Sequence, residues 1–367
     1  MGTVLNYGII STLLFQTTSK FGILVLVIEM NKFKLLIKRI RHINFDRMFD
    51  MINRVHKESG KMKLVILIDM IYSAFVYNVG YLDYYVFGFV FCNKEERKTF
   101  MTMPISNYLF KTLNDKQRRD DFDDKLKFNE IFNDYLGRGW LDLRKAKYED
   151  FVEFTKKYNT IFVKPVDAFS GKGIEKITIT ETSNLQAIYN SLLEHKQYVV
   201  EECLVQHEGM NVLNPTSINT LRITSLIKDG VVHIPYTLVR TSDGTKAIDN
   251  IGSGGFYAPI DENGIIFKPG FTEQDGVHEY HPFTNTKFVG FEIPCYKEAV
   301  ELIKKVALIT PEVRYCGWDV AISKNGPVLI EGNPMPGYDI PQNHFHLVGK
   351  TGRLPQFTEI LKEEMPK

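Results

Sequence analysis

The chain has 367 residues, of which 44% are hydrophobic, and 45 Lys and Arg residues nearly balance 44 Asp and Glu residues. A chain of this size can bury the cores of two or three subdomains. Its balanced charge gives no support for nucleic-acid binding. The four cysteines are far apart and show neither metal-site spacing nor a disulfide framework, which is typical of reduced thiols in a cytoplasmic protein.

The N-terminal residues contain two apolar runs, 8–15 and 21–29, separated by polar residues and Lys20. Each run is shorter than the roughly 20 residues that span a bilayer. The flanking residues do not fit a signal peptide. Met30 begins a more ordinary sequence, so we expect residues 1–29 to be either a non-native or an upstream-start extension, and we assign them no fold.

A basic stretch follows at 31–63, where apolar residues recur at helical spacing. Such a helix can lie on an anionic membrane surface, or it can pack one face on its own domain. The aromatic-rich segment 72–91 contains tyrosines that could stack on a sugar, although a buried core is the more usual role. The polar segment 93–124 predicts loop and helix. We therefore assign 30–118 to a mainly helical N-terminal region that could recognise an acceptor.

Beyond residue 124, short predicted strands alternate with helices. One buried strand ends at Lys164-Pro165, and the loop Ser170-Gly171-Lys172-Gly173 leads into the next strand. A Walker-type loop needs an earlier glycine at a fixed spacing before Gly171, and this chain has none there. A glycine loop between antiparallel strands can still present backbone N–H groups to phosphate oxygens, or it can be an ordinary hairpin loop. Lys164 would add a point charge for phosphates.

Another predicted strand ends in Glu201-Glu202-Cys203-Leu204. Its extended backbone could bind adenine, with a C=O accepting from the amino group and an N–H donating to a ring nitrogen. Arg222 lies in an alternating strand, and Arg240 ends the strand after it. An arginine in such a strand either pairs with a carboxylate or binds phosphate through its guanidinium fork. We favour a phosphate or acyl-phosphate contact for Arg222, with Arg240 as a weaker candidate of the same kind.

The last third of the chain predicts a hairpin, with strands at 320–322 and 328–330 and a turn at 324–326. The turn determines the register of the two strands. A three-residue turn centred on Asn325 would place Asp319 opposite Glu331, whereas a two-residue Asn-Gly turn would separate the two acids.

In the first of these registers, Asp319, Glu331 and Asn333 project from one sheet face, because side chains alternate along a strand. Two carboxylates and an amide oxygen suit Mg²⁺, which substrate phosphates also help to hold. The alternative is that these are surface carboxylates near a hairpin.

The ordered set of these features resembles the ATP-grasp superfamily, and the finer pattern resembles its sugar-transfer-associated branch. The motifs that carry the finer resemblance are Ile52-Asn-Arg-Val-His-Lys-Glu-Ser-Gly60, Gly80-Tyr-Leu-Asp-Tyr-Tyr85, Asn219-Thr-Leu-Arg222 and Asn250-x-x-x-Gly254-Gly255. The resemblance implies an α+β ATP-grasp fold in which two lobes, residues 119–200 and 201–367, clasp ATP behind the helical N-terminal region.

The resemblance also implies roles for individual residues. The implied phosphate ligands are Lys125 (with Lys127 as the alternative), Lys164 and the loop Ser170-Gly171-Lys172-Gly173. Adenine binding falls to Glu201, Glu202, Cys203 and Leu204, and ribose binding to His207. The Mg²⁺ or Mn²⁺ ligands are Asp319, Glu331 and Asn333, and the catalytic cations are Arg222, Lys164 and Arg240.

The activity implied by the resemblance is that of an ATP- and Mg²⁺-dependent carboxylate–amine ligase that works through an acyl phosphate. We expect it to act in surface or capsular polysaccharide synthesis, on a small-molecule or lipid-linked sugar carboxylate and an amine. The alternatives are an ATP-dependent phosphotransferase acting on a sugar, and a non-catalytic nucleotide-binding scaffold for glycosyltransferases. The expected location is the cytoplasm, with a peripheral contact at the inner face of the membrane.

Overall fold

The computed structural model describes residues 44–166, 173–245 and 254–366. The chain forms two compact units, Met1–Asp69 and Met70–Lys367. None of the described helices combines enough length with enough apolar character to cross a bilayer.

Helix α1 (Phe45–Ser59) is the first described element of the first unit. The Asn44 side chain caps its N-terminus by accepting from the Arg47 N–H at 2.9 Å, and Gly60 ends it in a left-handed conformation that glycine adopts readily. The expected amphipathic helix is thus confirmed over Phe45–Ser59, where three lysines and arginines are balanced by three acids. Its basic part, at 31–43, lies outside the described residues. Helix α2 (Lys63–Val76) follows and continues beyond Asp69.

The second unit is helical before its first strand. Its helices in this part are α3 (Tyr81–Val86), α4 (Lys94–Arg97), α5 (Met103–Leu113), α6 (Lys116–Asp123) and α7 (Lys125–Ile131). Tyr84 and Tyr85 are buried, so these two tyrosines belong to the core.

A four-stranded antiparallel sheet follows, with the spatial order β1-β4-β2-β3. Its strands are β1 (Trp140–Asp142), β2 (Thr160–Lys164), β3 (Glu175–Thr178) and β4 (Val199–Glu202). Helices α8 (Tyr148–Lys157) and α9 (Leu185–Glu194) cover it, and Phe151, Ile161 and Leu192 belong to the core between them. The predicted antiparallel strands on either side of the glycine loop are confirmed as β2 and β3.

A larger antiparallel sheet has seven strands in the order β11-β10-β5-β6-β7-β8-β9. These are β5 (Thr220–Lys228), β6 (Val231–Thr241), β7 (Phe256–Ile260), β8 (Gly270–Thr272), β9 (Gly276–His278), β10 (Tyr315–Ser323) and β11 (Gly326–Asn333). Helix α11 (Tyr296–Ala307) shares the main core with this sheet, through residues such as Ile303, Leu221 and Trp318. This core follows from the alternating apolar residues of the central strands.

The segment between the two sheets runs along the β10–β11 hairpin and includes α10 (Glu208–Leu213). The Lys324 N–H donates to the Val205 carbonyl at 3.0 Å, and the His207 N–H donates to the Ile322 carbonyl at 2.9 Å. These hydrogen bonds fix the end of β4 next to the strands that carry the two acids.

The helical region that precedes the sheets is fastened to the C-terminal segment. The His344 N–H donates to the Val86 carbonyl at 2.8 Å, and the Leu354 N–H donates to the Thr99 carbonyl at 2.9 Å. Helix α12 (Leu354–Leu361) then completes a second core on the large sheet.

Candidate functional site

The turn of the β10–β11 hairpin has two residues. Ser323 pairs with Gly326, and only Lys324 and Asn325 lie between them. Gly326 adopts a φ of 111°, which few other residues tolerate. The turn therefore differs both from the expected three-residue turn and from the Asn-Gly alternative.

A β-bulge then changes the register of the hairpin. Val320 pairs with Leu329, but the next residue, Asp319, pairs with Glu331, so Ile330 is the extra residue on β11. The bulge offsets the short turn by one position. The predicted opposition of Asp319 and Glu331 is confirmed, although the turn that was expected to produce it is wrong.

A row of charged residues crosses three neighbouring strands, with Glu331 on β11, Asp319 on β10 and Arg222 on β5. The Asp319 side chain is 2% exposed. The Arg222 Nε donates to its Oδ1 at 2.5 Å and the Arg222 Nη2 to its Oδ2 at 3.2 Å. The Arg240 Nη2 adds a hydrogen bond to Oδ2 at 2.6 Å. Both arginines therefore pair with a carboxylate, and their contact with a phosphate stays a prediction.

The two carboxylates of this row differ in their electrostatics. Burial alone would raise the pKa of Asp319, but the adjacent charges of Arg222 and Arg240 lower it to about 2. Glu331 is exposed, yet desolvation of its carboxyl group and the negative charge of Asp319 raise its pKa. A divalent cation would neutralise the repulsion between these carboxylates, so the pair fits the expected metal.

Asn333 supplies the third oxygen of the predicted metal set. It pairs with Gly317 and lies two positions after Glu331, on the same face of β11. Its Oδ1 accepts from the Met335 N–H at 2.9 Å and keeps a second lone pair. In the described ranges, no three His, Cys, Asp or Glu side chains converge on one point. A cation here would thus rely on two carboxylates, the amide and oxygens of its substrate.

A cleft opens to solvent between the two sheets. Apolar residues from both sheets and their connections line it: Phe162, Ile174, Leu204, Ile218 and Ile330. Thr220, which accepts from the Arg240 Nη2 at 3.1 Å, also lines it. The cleft therefore lies next to the charged row: its lining residue Thr220 contacts Arg240, which pairs with Asp319, and its lining residue Ile330 immediately precedes Glu331.

On the small-sheet side of the cleft, a buried carboxylate forms ion pairs with two cationic side chains. Glu201 Oε1 accepts from the Arg138 Nη2 at 2.9 Å and from the Asn129 Nδ2 at 3.1 Å, and the Lys164 Nζ donates to Glu201 Oε2. Burial would raise the pKa of Glu201, but Arg138 and Lys164 hold it well below its usual range. Lys164 lines the cleft, as a phosphate-binding lysine must.

The strand expected to bind adenine presents free backbone at the cleft. The Glu202 N–H donates to the Gly139 carbonyl at 2.9 Å, and the Cys203 N–H donates to the Thr160 carbonyl at 3.2 Å. The Leu204 N–H has no acceptor among the residues that the structure describes. Burial raises the pKa of the Cys203 thiol, so this cysteine is a poor nucleophile.

The remaining predicted phosphate ligands lie at the end of β2. The Lys125 N–H donates to the Val166 carbonyl at 3.3 Å, two residues beyond Lys164. The alternative, Lys127, extends to an ion pair with Asp121 at 3.3 Å. Which of the two lysines would contact phosphate stays a prediction. Ser170, Gly171 and Lys172 lie outside the described residues, and Gly173 follows them with a φ of 70°.

His207, the expected ribose ligand, caps helix α10. Its Nδ1 accepts from the Gly209 N–H at 3.0 Å. It is not among the residues that line the cleft, so its contact with a ribose stays a prediction.

Arg138 is a cleft residue that pattern reasoning missed. It lies between Gly137 and Gly139, where an added Cβ would come within 2.2 Å of Val328 and 2.7 Å of Tyr158 respectively. A Gly-Arg-Gly sequence ahead of a strand was the available signal, because paired glycines often mark close backbone approach.

The profile of the sugar-transfer-associated ATP-grasp family matches residues 104–359, more than half of the chain. The chain belongs to this family. The predicted fold class, an α+β ATP-grasp fold behind a mainly helical N-terminal region, is confirmed.

This sugar-transfer-associated ATP-grasp protein is similar to a number of solved structures, three of which follow. D-alanyl-alanine synthetase A from Vibrio cholerae is 15% identical, with 66% of each chain covered and a TM-score of 0.39. The ATP-grasp ligase PsnB with its minimal precursor is 14% identical, over 66% of this chain and 62% of that one, with a TM-score of 0.40. The D-Ala:D-Ser ligase VanG from Enterococcus faecalis is 14% identical, over 65% and 61%, with a TM-score of 0.39.

The chain spans less than two thirds of the length of these structures. No curated protein sequence matches it.

Proposed function

We propose that the protein is an ATP- and Mg²⁺-dependent ligase that activates a carboxylate as an acyl phosphate and joins it to an amine. The observation that carries this proposal is the row Glu331–Asp319–Arg222 on the large sheet, next to a cleft that Lys164 lines from the small sheet. Acidic residues that could hold a cation and a lysine that could bind phosphates thus lie on two sides of the same cleft.

The nucleotide would occupy the cleft between the sheets. Its purine suits the apolar lining, and the Leu204 N–H, which has no acceptor in the described part of the chain, can donate to a ring nitrogen. Lys164 and Lys125 would contact the phosphates, and Lys164 would then share its charge between Glu201 and a phosphate oxygen. The loop Ser170-Gly171-Lys172-Gly173 would supply further N–H donors.

Asp319, Glu331 and Asn333 would hold Mg²⁺ or Mn²⁺, which would neutralise charge on the transferred phosphoryl group. The Arg222 Nη1 has no hydrogen-bond partner in the described part of the chain, so it can donate to an acyl-phosphate oxygen. The substrate carboxylate oxygen bonds to the γ-phosphorus as ADP leaves. The amine nitrogen then bonds to the carbonyl carbon as inorganic phosphate leaves, and the nitrogen loses a proton. Arg240 would keep Asp319 ionised throughout.

For substrates, we propose a small-molecule or lipid-linked sugar carboxylate and an amine, in surface or capsular polysaccharide synthesis. The sugar-transfer association of the family supports this choice.

A cytoplasmic protein in peripheral contact with the inner membrane face would meet such substrates. Residues 31–63 contain ten lysines and arginines against three acids, and Phe45, Phe49 and Leu64 are exposed. Both features suit an anionic lipid surface.

Trapping with hydroxylamine tests the chemistry. The protein would be incubated with ATP, Mg²⁺ and uronic acids or other sugar carboxylates, and hydroxamate and ADP would be measured. Matched release of hydroxamate and ADP supports an acyl phosphate. A phosphorylated sugar without hydroxamate would indicate the phosphotransferase instead. Nucleotide binding without ADP release for any acceptor would indicate the scaffold.

Co-sedimentation of the full chain with vesicles tests the membrane contact. We expect binding to vesicles with anionic lipid at low salt, and weaker binding at high salt, because the attraction is screened. If equal amounts of protein sedimented with neutral and with anionic vesicles, an electrostatic contact would be contradicted.

A further inference from the structure

Arg138 connects the two sheets at the base of the cleft. The residue is 9% exposed. Its Nη2 donates to Glu201 Oε1 at 2.9 Å on the small sheet. Its Nη1 donates to the Leu329 carbonyl at 2.7 Å, and its Nη2 lies 3.4 Å from the Ile330 carbonyl on the large sheet. One guanidinium group therefore joins the nucleotide end of the cleft to the strand that carries Glu331.

The carbonyls that Arg138 contacts belong to the β-bulge. A bulge leaves part of the strand ladder unpaired, and buried carbonyl groups need donors. Without the bulge, the pairing of Val320 with Leu329 would continue to Asp319 with Ile330. Glu331 would then move to the opposite sheet face, because a slip of one residue inverts every side chain.

We propose that Arg138 is a positioning residue that holds the bulge at Ile330 and so keeps Glu331 beside Asp319 for cation binding. It acts through the backbone of β11 and does not itself contact the cation. This inference rests on the proposed cation site at Asp319 and Glu331. It gives Arg138 a role beyond balancing the charge of Glu201.

The substitution Arg138→Lys separates these two roles. A lysine keeps a positive charge next to Glu201 but lacks the planar fork that reaches a carboxylate and two carbonyls at once. If Arg138 only balanced the charge of Glu201, this variant would bind a cation as the wild type does. A positioning role predicts that cation binding weakens while nucleotide binding is largely kept.

Binding of Mn²⁺ provides a readout that does not depend on turnover. Free Mn²⁺ would be measured by electron paramagnetic resonance with the full chain and a non-hydrolysable ATP analogue, and affinity for the analogue would be measured separately. We expect R138K to weaken Mn²⁺ binding by about tenfold or more, as for other residues that orient metal ligands. Arg118→Lys, at a half-exposed arginine, is the matched control and should bind Mn²⁺ like the wild type.

Equal Mn²⁺ affinity in folded R138K and the wild type would overturn the role of Arg138 and leave the proposed function intact. A wild-type protein that binds no Mn²⁺ would overturn the cation site, and this inference with it. If R138K does not fold, Arg138→Gln is a smaller neutral donor that leaves Glu201 paired with Lys164, so that no buried charge loses all its partners. The same loss of Mn²⁺ affinity is expected there, and wild-type affinity would overturn the proposal.

Discussion

Asp319 and Glu331 lie opposite each other because Ile330 bulges out of the strand between them. The two acids have unequal partners. Asp319 binds two arginines, whereas Glu331 lies next to the negative charge of Asp319. This asymmetry means that the same chemical change has opposite consequences for stability at the two positions, even if both acids hold one cation.

Replacing Asp319 with Asn should destabilise the protein. Arg222 and Arg240 would lose their shared carboxylate, and buried charges without a partner cost about 3–5 kcal/mol in such cases. The free energy of unfolding can be measured by urea titration. D319N should also abolish Mg²⁺-dependent ADP release. A variant of wild-type stability would contradict the ion-pair assignment.

Replacing Glu331 with Gln should abolish Mg²⁺-dependent ADP release without lowering stability. The amide removes a negative charge from beside Asp319, so the free energy of unfolding should stay the same or rise. E331Q is also the isosteric comparison for D319N. A Glu331→Gln protein that releases ADP at the wild-type rate would exclude Glu331 as a required cation ligand.

Replacing Lys164 with Met should weaken binding of an ATP analogue by about 10- to 100-fold, because hydrogen bonds to charged groups contribute about 1.5–3 kcal/mol. The affinity can be measured by calorimetry. Lys157→Met, at the exposed end of α8, controls for the loss of a lysine. Unchanged affinity in K164M would mean that Lys164 serves only to pair with Glu201.

Replacing Gly317 with Ala tests the packing behind the charged row. An added Cβ would lie 2.9 Å from the Pro336 Cβ and 3.0 Å from the Arg222 Cδ, so Arg222 must shift. A small displacement of a group that positions the substrate lowers the reaction rate, here by about tenfold or more. We expect kcat for ADP release to fall more than the KM for ATP rises. Gly80→Ala, where nothing lies within 4 Å of an added Cβ, should have no such effect.

The site shows where pattern reasoning from sequence works. The strand that carries Lys164 was predictable from its short apolar run, and the strand that carries Arg222 from the alternation of apolar residues along it. The Asp319–Glu331 pair was also predicted, but through a three-residue turn that the protein does not have. The actual register depends on a bulge whose carbonyl at Leu329 is bonded by Arg138, 191 positions earlier. No local pattern encodes such a contact.

The ion-pair partners of the arginines could be predicted only in part from the sequence, for the same reason. An arginine within a strand suggests either a carboxylate or a phosphate partner, and the sequence alone did not bring Asp319 next to Arg222, 97 positions away. Sheet order supplies that neighbour, since β10 lies between β5 and β11.

Asp83 should make the stability of the protein depend on pH. This residue of α3 accepts a hydrogen bond from the Tyr338 hydroxyl at 2.9 Å. Burial raises the pKa of Asp83 to about 6, assisted by the negative charge of Asp339 and opposed by the Tyr338 hydrogen bond. Tyr338 follows Asn333 by five residues, so this acid links the helical region to the loop beyond the candidate metal site.

The folded protein holds the Asp83 proton more tightly than the unfolded chain does. Its contribution to stability is therefore fully present below the unfolded pKa, near 4, and is lost as pH rises through about 6. Asp83→Asn keeps an oxygen acceptor for Tyr338 and does not ionise. D83N should therefore be more stable than the wild type above pH 6 by about 1–3 kcal/mol, and this difference should disappear towards pH 4.

Urea unfolding between pH 4.5 and pH 8 measures this difference. Asp229→Asn, at an acid whose side chain is 82% exposed, controls for the substitution itself. Parallel stability curves for D83N and the wild type across this range would show that Asp83 ionises equally in both states. In that case its contact with Tyr338 would be a hydrogen bond of an ordinary, solvated carboxylate, and the helical region would not respond to pH at this position.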